Sequence, residues 1–265
     1  MQNNIIEIQK ADLFLDTKQI LHDINWTIAP SEHWFVIGPN GSGKTTLTRM
    51  ILGYIWPKFG AKVSVLGDTY GECDIFQVRK KIAWISPYLQ NWTSSSRDYT
   101  AEEIIISGLD STIGLFRKAK DEEIEQAKEI LIKLDTENIF GKSFARLSSG
   151  EQIIVLLARA LIKRPELMIL DEVCAHLDLR NREHFLEIID NFAKSDDSPV
   201  IIFVSQRIED ITEAFEKGLA IKNGRIISYG NKKDVLSEKS LKNIFDLEIS
   251  LVRTHSGRYW PIVGK

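Results

Sequence analysis

Nine consecutive residues, Gly38-Pro39-Asn40-Gly41-Ser42-Gly43-Lys44-Thr45-Thr46, follow the apolar run Trp34-Phe35-Val36-Ile37 and lead into Thr46-Leu47-Thr48-Arg49-Met50-Ile51-Leu52. Glycines, a lysine and hydroxyls therefore sit where a strand turns into a helix, which is the setting a phosphate-binding loop requires. Small residues let the backbone curl until successive N–H groups face inward. Lys44 places a cation among the β and γ phosphates, and Thr45 offers an oxygen to Mg²⁺. The helix that begins near Gly43 adds its positive end. A glycine cluster alone marks only a turn. The strand before this one and the helix after it make it a nucleoside triphosphate site.

The chain has 265 residues, enough for one large α/β domain with an insertion. Its 34 basic and 37 acidic residues leave a formal charge of −3, which gives no electrostatic basis for nonspecific nucleic-acid binding. The uninterrupted apolar stretches, such as 153–158 and 200–204, fall far short of the roughly 20 residues a membrane span needs. Met1-Gln2-Asn3-Asn4-Ile5 lacks the basic and apolar regions of a signal peptide. Cys73 and Cys174 are too few for a disulfide framework and are not spaced for a metal site. The expectation is a reduced, cytoplasmic setting, with any membrane contact made through a partner at its inner face.

Alternating patterns at 5–9 and 20–28, with a turn near Asp16-Thr17-Lys18, predict an antiparallel β edge ahead of the phosphate loop. Short strands are expected at 62–66 and 82–85, with a short helix or turn at 76–81. The middle changes character: a polar loop at 91–98 precedes helical patterning at 104–106 and 121–133, read as a helical insertion. After Ser148, an apolar helix at 153–161 runs into Leu167-Met168-Ile169-Leu170-Asp171-Glu172, whose first part has the composition of a central parallel strand. A helix at 181–193, a strand at 200–204, a helix at 208–215 and a hairpin around Asn223-Gly224 continue the alternation. The fold class is α/β, with a mostly parallel sheet covered by helices.

Three further segments carry chemistry. Asp171 ends a buried strand, where a carboxylate can hold the shell of Mg²⁺ while Glu172 polarises the attacking water; the same pair also suits a cap on the following turn. Leu147-Ser148-Ser149-Gly150-Glu151-Gln152 opens the helix that continues from Ile153, so it is suited either to an anion or to a plain Ser148 N-cap. Ala175-His176-Leu177-Asp178 follows on a loop that could touch another subunit.

In this order and spacing the segments resemble the ATP-binding cassette (ABC) family of ATPases over nearly the whole chain. Residues 38–46 look like its Walker A loop, 147–152 like its signature, 167–172 like Walker B with the catalytic glutamate, and 175–178 like its D-loop. The resemblance implies a P-loop NTPase of ABC type, with a catalytic core at 1–90 and 166–230, a helical subdomain at about 91–165 and a C-terminal extension at 231–265. It further implies a head-to-tail homodimer, or a pairing with another cassette. In such a pair each MgATP lies between one subunit's loop and the signature of the other, so that Ser148 and Gly150 face the γ-phosphate, with Leu147, Ser149 and Glu151 beside them.

Departures from the family pattern are equally informative. The usual metal-approaching glutamine falls at Pro87, and Gln90, three residues later, is the nominee for that role. The switch histidine is replaced by Gln206, whose amide can bond a phosphate but carries no imidazolium charge. Ser149 stands where glycine is commonest, and Val173 replaces the usual proline. The adenine-stacking position falls at Leu15, beside Phe14, which serves equally as base-stacker or as packing. Two classes of function follow. One is the energising subunit of a transporter docked on a separate integral membrane permease, with Tyr88, Leu89, Trp92 and the Ser94-Ser95-Ser96 run read as the docking groove or as core. The other is a soluble regulatory cassette switched by ATP-driven dimerisation, favoured by Gln206 and Ser149. A phosphate-loop GTPase or kinase is set aside, on the expectation that the chain holds no base-reading Asn-Lys-x-Asp element and because kinases seldom carry the run 147–152. Tyr259-Trp260-Pro261 is read as a fold anchor or a small contact patch. Slow hydrolysis is expected, and Gln206→His should raise ATP turnover in a phosphate-release assay; unchanged turnover would count against Gln206 as the slow step's origin.

Overall fold

The computed structural model describes residues 4–86, 99–112 and 114–264. It divides into two compact units. The first is Met1–Ile82 with Glu166–Asp171 and Pro199–Lys265, and the second is Ala83–Pro165 with Glu172–Ser198.

The first unit opens with β1 (Ile6–Leu15) and β2 (Lys18–Ile28), whose buried and exposed residues largely alternate because one face of the pair is covered and the other is wet. They pair antiparallel, and β1 also pairs antiparallel with β4 (Lys62–Val65), which pairs with β5 (Asp68–Thr69). The result is a four-stranded sheet of order β2-β1-β4-β5, the expected β edge.

The larger sheet is built differently. β3 (Trp34–Ile37), β7 (Leu167–Asp171) and β8 (Val200–Ser205) are buried at every residue, as continuous apolar runs demand when helices cover both faces. β3 lies parallel to β8 and to β9 (Lys217–Lys222), β7 lies parallel to β8, and β10 (Arg225–Asn231) adds antiparallel to β9. The strand order within this unit is β10-β9-β3-β8-β7, and β6 (Ile82–Ile85) begins on its last residue before the chain leaves it. Helix α1 (Lys44–Ile51) follows β3, and α2 (Ile75–Lys80) precedes β6. The C-terminal extension holds α7 (Lys232–Val235), α8 (Glu238–Phe245) and a separate two-stranded hairpin of β11 (Ile249–Arg253) and β12 (Tyr259–Val263).

One expected element is absent. Residues 208–215 do not form a helix: only Ile208–Asp210 make a 3-10 turn, and Ile211 is already extended. Ile208, Ile211 and Phe215 are all buried, so their spacing mimics a helical stripe. Side-chain donors take the carbonyls that a helix would use internally. Arg258 donates to Glu209 O, and Lys232 Nζ donates to Thr212 O at 2.6 Å.

The second unit is helical. It contains α3 (Ala101–Asp110), α4 (Asp121–Lys133), α5 (Ser149–Leu161) and α6 (Leu179–Ala193). α5 is buried over much of its surface and packs against each of the other three. Its crossing with α3 is close: any side-chain carbon at Gly108 would lie 2.3 Å from Arg159 O. No helix among the described residues is long and apolar enough to cross a membrane.

Candidate functional site

The phosphate loop leaves β3 at Ile37 and enters α1 at Lys44. Gly43 occupies the N-cap position at φ 107°, in the left-handed region that a Cβ disfavours, and no side chain caps the helix. The N-terminal end of α1 is thus left for an anion. Lys44 is only 3% exposed, and its Nζ donates to Gly38 O at 2.9 Å and to Pro39 O at 3.1 Å, drawing the loop around the cation. Pro39, Asn40, Gly41, Thr45 and Thr46 stay at least partly accessible on its rim. Ser42 N donates back to Pro39 O, and Ser42 O accepts from Gly224 N in the β9–β10 turn, so the hairpin braces the loop from outside.

One atom tests whether a phosphate fits. Ser42 Oγ is buried and has no hydrogen-bond partner among the described residues. Such a hydroxyl costs free energy until something bonds it. A phosphate oxygen in the curl of the loop would do so.

The strand ends place the remaining groups of this unit. In register, Ile37 pairs with Ser205, and Val204 with Asp171, so Gln206 falls level with Gly38 along the same sheet edge. These are carboxyl ends of parallel strands, where open α/β sheets bind ligands. The Asp171 carboxylate is 3% exposed, and Thr48 Oγ1 lies 3.1 Å from its Oδ2 and 2.9 Å from Thr45 O, sharing one proton between them. Thr45 and Asp171, the two expected metal ligands of this unit, are therefore tied through a single hydroxyl. Among the described residues no three His, Cys, Asp or Glu side chains converge into a metal site. A divalent cation fits here only as the companion of phosphate oxygens, which suits Thr45 and Asp171 as a partial ligand set. Gln206 is half-buried, while Phe14, on β1, is 43% exposed. Gln90 and the expected docking residues Tyr88, Leu89, Trp92 and Ser94-Ser95-Ser96 lie outside the described residues.

The second unit carries the other motifs. Glu172 has φ 54°, a left-handed conformation that is uncommon for a side-chain-bearing residue and turns the chain sharply as it leaves the strand. Ser148 is the N-cap of α5: its Oγ accepts from Glu151 N at 3.2 Å, and its N donates to Glu151 Oε2 at 2.8 Å, a reciprocal capping box. Burial pushes the Glu151 carboxyl up, but the Ser148 bonds and Lys142 outweigh it, and the group sits below the ordinary range. Leu147 is buried and Ser149 half-buried beside it. Asp178 caps α6 in the same manner, accepting from Asn181 N at 2.9 Å and from Asn181 Nδ2 at 2.7 Å. That backbone bond holds its carboxyl below the usual range.

The two helix starts meet at Asn181. A Cβ on Gly150 would lie 2.6 Å from Asn181 Oδ1 and 2.7 Å from its Cβ and Cγ. Glycine is therefore required at position 150 by its own chain. Thr48 and Asn181 were not singled out from sequence. Asn181, three residues after Asp178, stands at a side-chain capping spacing that could have been read, whereas the partner of Thr48 is set by the sheet. The expected lack of a GTPase base-reading element is corrected by the letters Asn231-Lys232-Lys233-Asp234, which match one. Here they cannot serve as one, because Lys232 Nζ donates to Thr212 O and Asn231 Oδ1 accepts from Lys217 Nζ at 3.1 Å.

The family model described as "ABC transporter" matches residues 21–175. The chain is 31% identical over 249 residues, 94% of its length and 95% of the relative's, to the uncharacterized ABC transporter ATP-binding protein YmeB of Lactococcus lactis. It is 34% identical to YlmA of Bacillus subtilis, also an uncharacterized ABC transporter ATP-binding protein, over 94% of this chain and 93% of that one. In fold it is similar to MJ1267, an ATP-binding cassette of an ABC transporter, with a TM-score of 0.77 at 17% identity over 92% of this chain and 98% of that one.

Replacing Gly150 by Ala should lower the thermal unfolding midpoint by the equivalent of about 1–3 kcal/mol of overpacking. Asn181→Ala in the same chain should recover part of that loss, and no recovery in calorimetry would remove the Asn181 contact as the cause.

Proposed function

We propose, from the premise that the chain belongs to the ABC transporter family of ATP-binding, ATP-hydrolysing cassettes, that two cassettes close head to tail over MgATP and so drive a separate membrane permease. The observation that carries this reading is the curled, Lys44-centred loop set beside a buried Asp171 that one hydroxyl ties to Thr45. Residues 38–46 bind the β and γ phosphates, with Lys44 supplying the cation and Ser42 Oγ a hydrogen bond. Thr45 and Asp171 hold Mg²⁺, which when bound offsets the negative charge building on the phosphate oxygens. Gln90 is assigned to the same metal and the attacking water, and Phe14 to the base.

In the transition state Glu172 accepts the proton of the attacking water as its oxygen bonds the γ-phosphorus and the β–γ bridging bond breaks, leaving ADP and phosphate. Gln206, level with Gly38, donates its amide N–H to the γ-phosphate. It cannot hold a positive charge there, so hydrolysis runs slowly. Across the dimer, the second copy's Ser148 and Gly150 complete the phosphate shell, with Leu147, Ser149 and Glu151 shaping that helix start and Asp178 lying along the interface. The capping role of Ser148 is compatible with this, since its hydroxyl oxygen accepts from Glu151 and its proton remains to donate. Gln206 favours a second reading, a soluble cassette in which the ATP-closed dimer itself is the signal.

Glu172→Gln should accumulate an ATP-dependent dimer, seen by light scattering with ATP and Mg²⁺; a monomer at saturating nucleotide would contradict the closed pair. The tagged full-length chain, recovered from detergent-solubilised membranes of its own cells, should bring down a multi-span protein in stoichiometric amount. Recovery of itself alone would move the assignment to the soluble switch.

A further inference from the structure

The loop that presents Gln206 is held from both ends. At its start, Ser205 pairs with Ile37, and Ser205 Oγ accepts from Arg207 N at 3.0 Å while donating to the buried Asp210 carboxylate at 2.6 Å. These bonds close a tight loop over 205–210 with Gln206 inside it. Beyond Asp210 the chain has no repeating structure of its own, so something else must fix it. The C-terminal extension does this. Arg258 Nε donates to Glu209 O at 2.9 Å, and Nη2 donates to the same oxygen. Lys232 Nζ takes the carbonyl of Thr212.

The β11–β12 hairpin is built to hold that arginine. Thr254 N donates to Arg258 O at 2.9 Å and Arg258 N donates to Thr254 Oγ1 at 3.2 Å, which closes the hairpin tip. The guanidinium also lies over the Trp260 ring, 5.8 Å from its centroid. Midway along β11, Leu251 N donates to Glu238 on α8 at 3.0 Å. A two-stranded ribbon is marginally stable alone. This one is anchored to α8 on one side and grips residues 208–210 on the other.

We infer that Arg258 is a positioning residue for ATP hydrolysis: through Glu209 it holds the loop that sets Gln206 beside the phosphate loop. The inference rests on the reading of Gln206 as a γ-phosphate ligand. It gives the C-terminal hairpin, and the run Tyr259-Trp260-Pro261 within it, a part in turnover. A guanidinium is suited to the task because its fork places two N–H groups on one carbonyl with little rotational freedom left. Positional error at a reacting group costs rate steeply, while nucleotide binding, which Lys44 and the loop amides dominate, is spared.

The test uses steady-state ATPase kinetics on the full-length chain, with thermal midpoints and nucleotide affinity as controls. Gln206→Ala should lower kcat. Arg258→Ala should lower kcat about tenfold with KM for ATP nearly unchanged, and it should cost nothing further when added to Gln206→Ala, because the two act through one contact. Arg258→Lys keeps a donor and a charge but loses the fork, so it should fall between the two. Should Arg258→Ala fail to fold, Arg258→Lys in both backgrounds makes the same comparison. Equal fractional losses with and without Gln206 would show a merely structural hairpin and overturn the inference, as would an unaltered kcat in the Arg258 variants. A Gln206→Ala enzyme with undiminished kcat would instead refute the role of Gln206, a distinct failure that removes the clamp's purpose with it.

Discussion

A single hydroxyl organises the nucleotide end of this molecule. Thr48 Oγ1 sits between Thr45 O and Asp171 Oδ2, in a place where water scarcely reaches. A carboxylate so buried is costly unless it is bonded and faces a cation. Its position is therefore tolerable only while β7 and α1 keep their spacing, and that spacing depends on the parallel ladder running from β7 through β8 to β3. The apolar strands exist to hold that ladder. The polar groups exist at its carboxyl edge, where each strand ends in a loop instead of continuing.

The helical unit works by a different principle. The starts of α5 and α6 are each sealed by a side chain, Ser148 with Glu151 and Asp178 with Asn181. Capping removes the orphaned N–H groups that would otherwise leave a helix end frayed. Asn181 both donates to the capping Asp178 and fills the space above Gly150, so one side chain ties the starts of α5 and α6 together. A second cassette closing on this surface would meet a preorganised edge, which lowers the ordering cost of association.

Much was legible beforehand. The glycine-rich turn between β3 and α1, the strand ending at Asp171 and the helix at 121–133 are each specified by local chemistry: glycines and a lysine, a continuous apolar run, and a period near 3.6 with acidic residues at the start. The segment 208–215 was misread for an equally physical reason. Its apolar residues repeat as in a helix, but Arg258 and Lys232, distant in sequence, take its carbonyls. Asn231-Lys232-Lys233-Asp234 shows the converse, letters suited to one chemistry whose side chains are spent on another.

By itself the sequence determined what is encoded by neighbours along the chain: most of the strands and helices, the strand-to-helix turn at 38–43, and the family to which the chain belongs. Tertiary structure decided which groups meet. Thr48 reaches Asp171, Asn181 closes on Gly150, and Arg258 grips Glu209, each across a separation that no local pattern spans. The reason is that a hydrogen bond or a steric contact depends on distance in space, and the sheet order and helix packing that set those distances are properties of the whole folded chain.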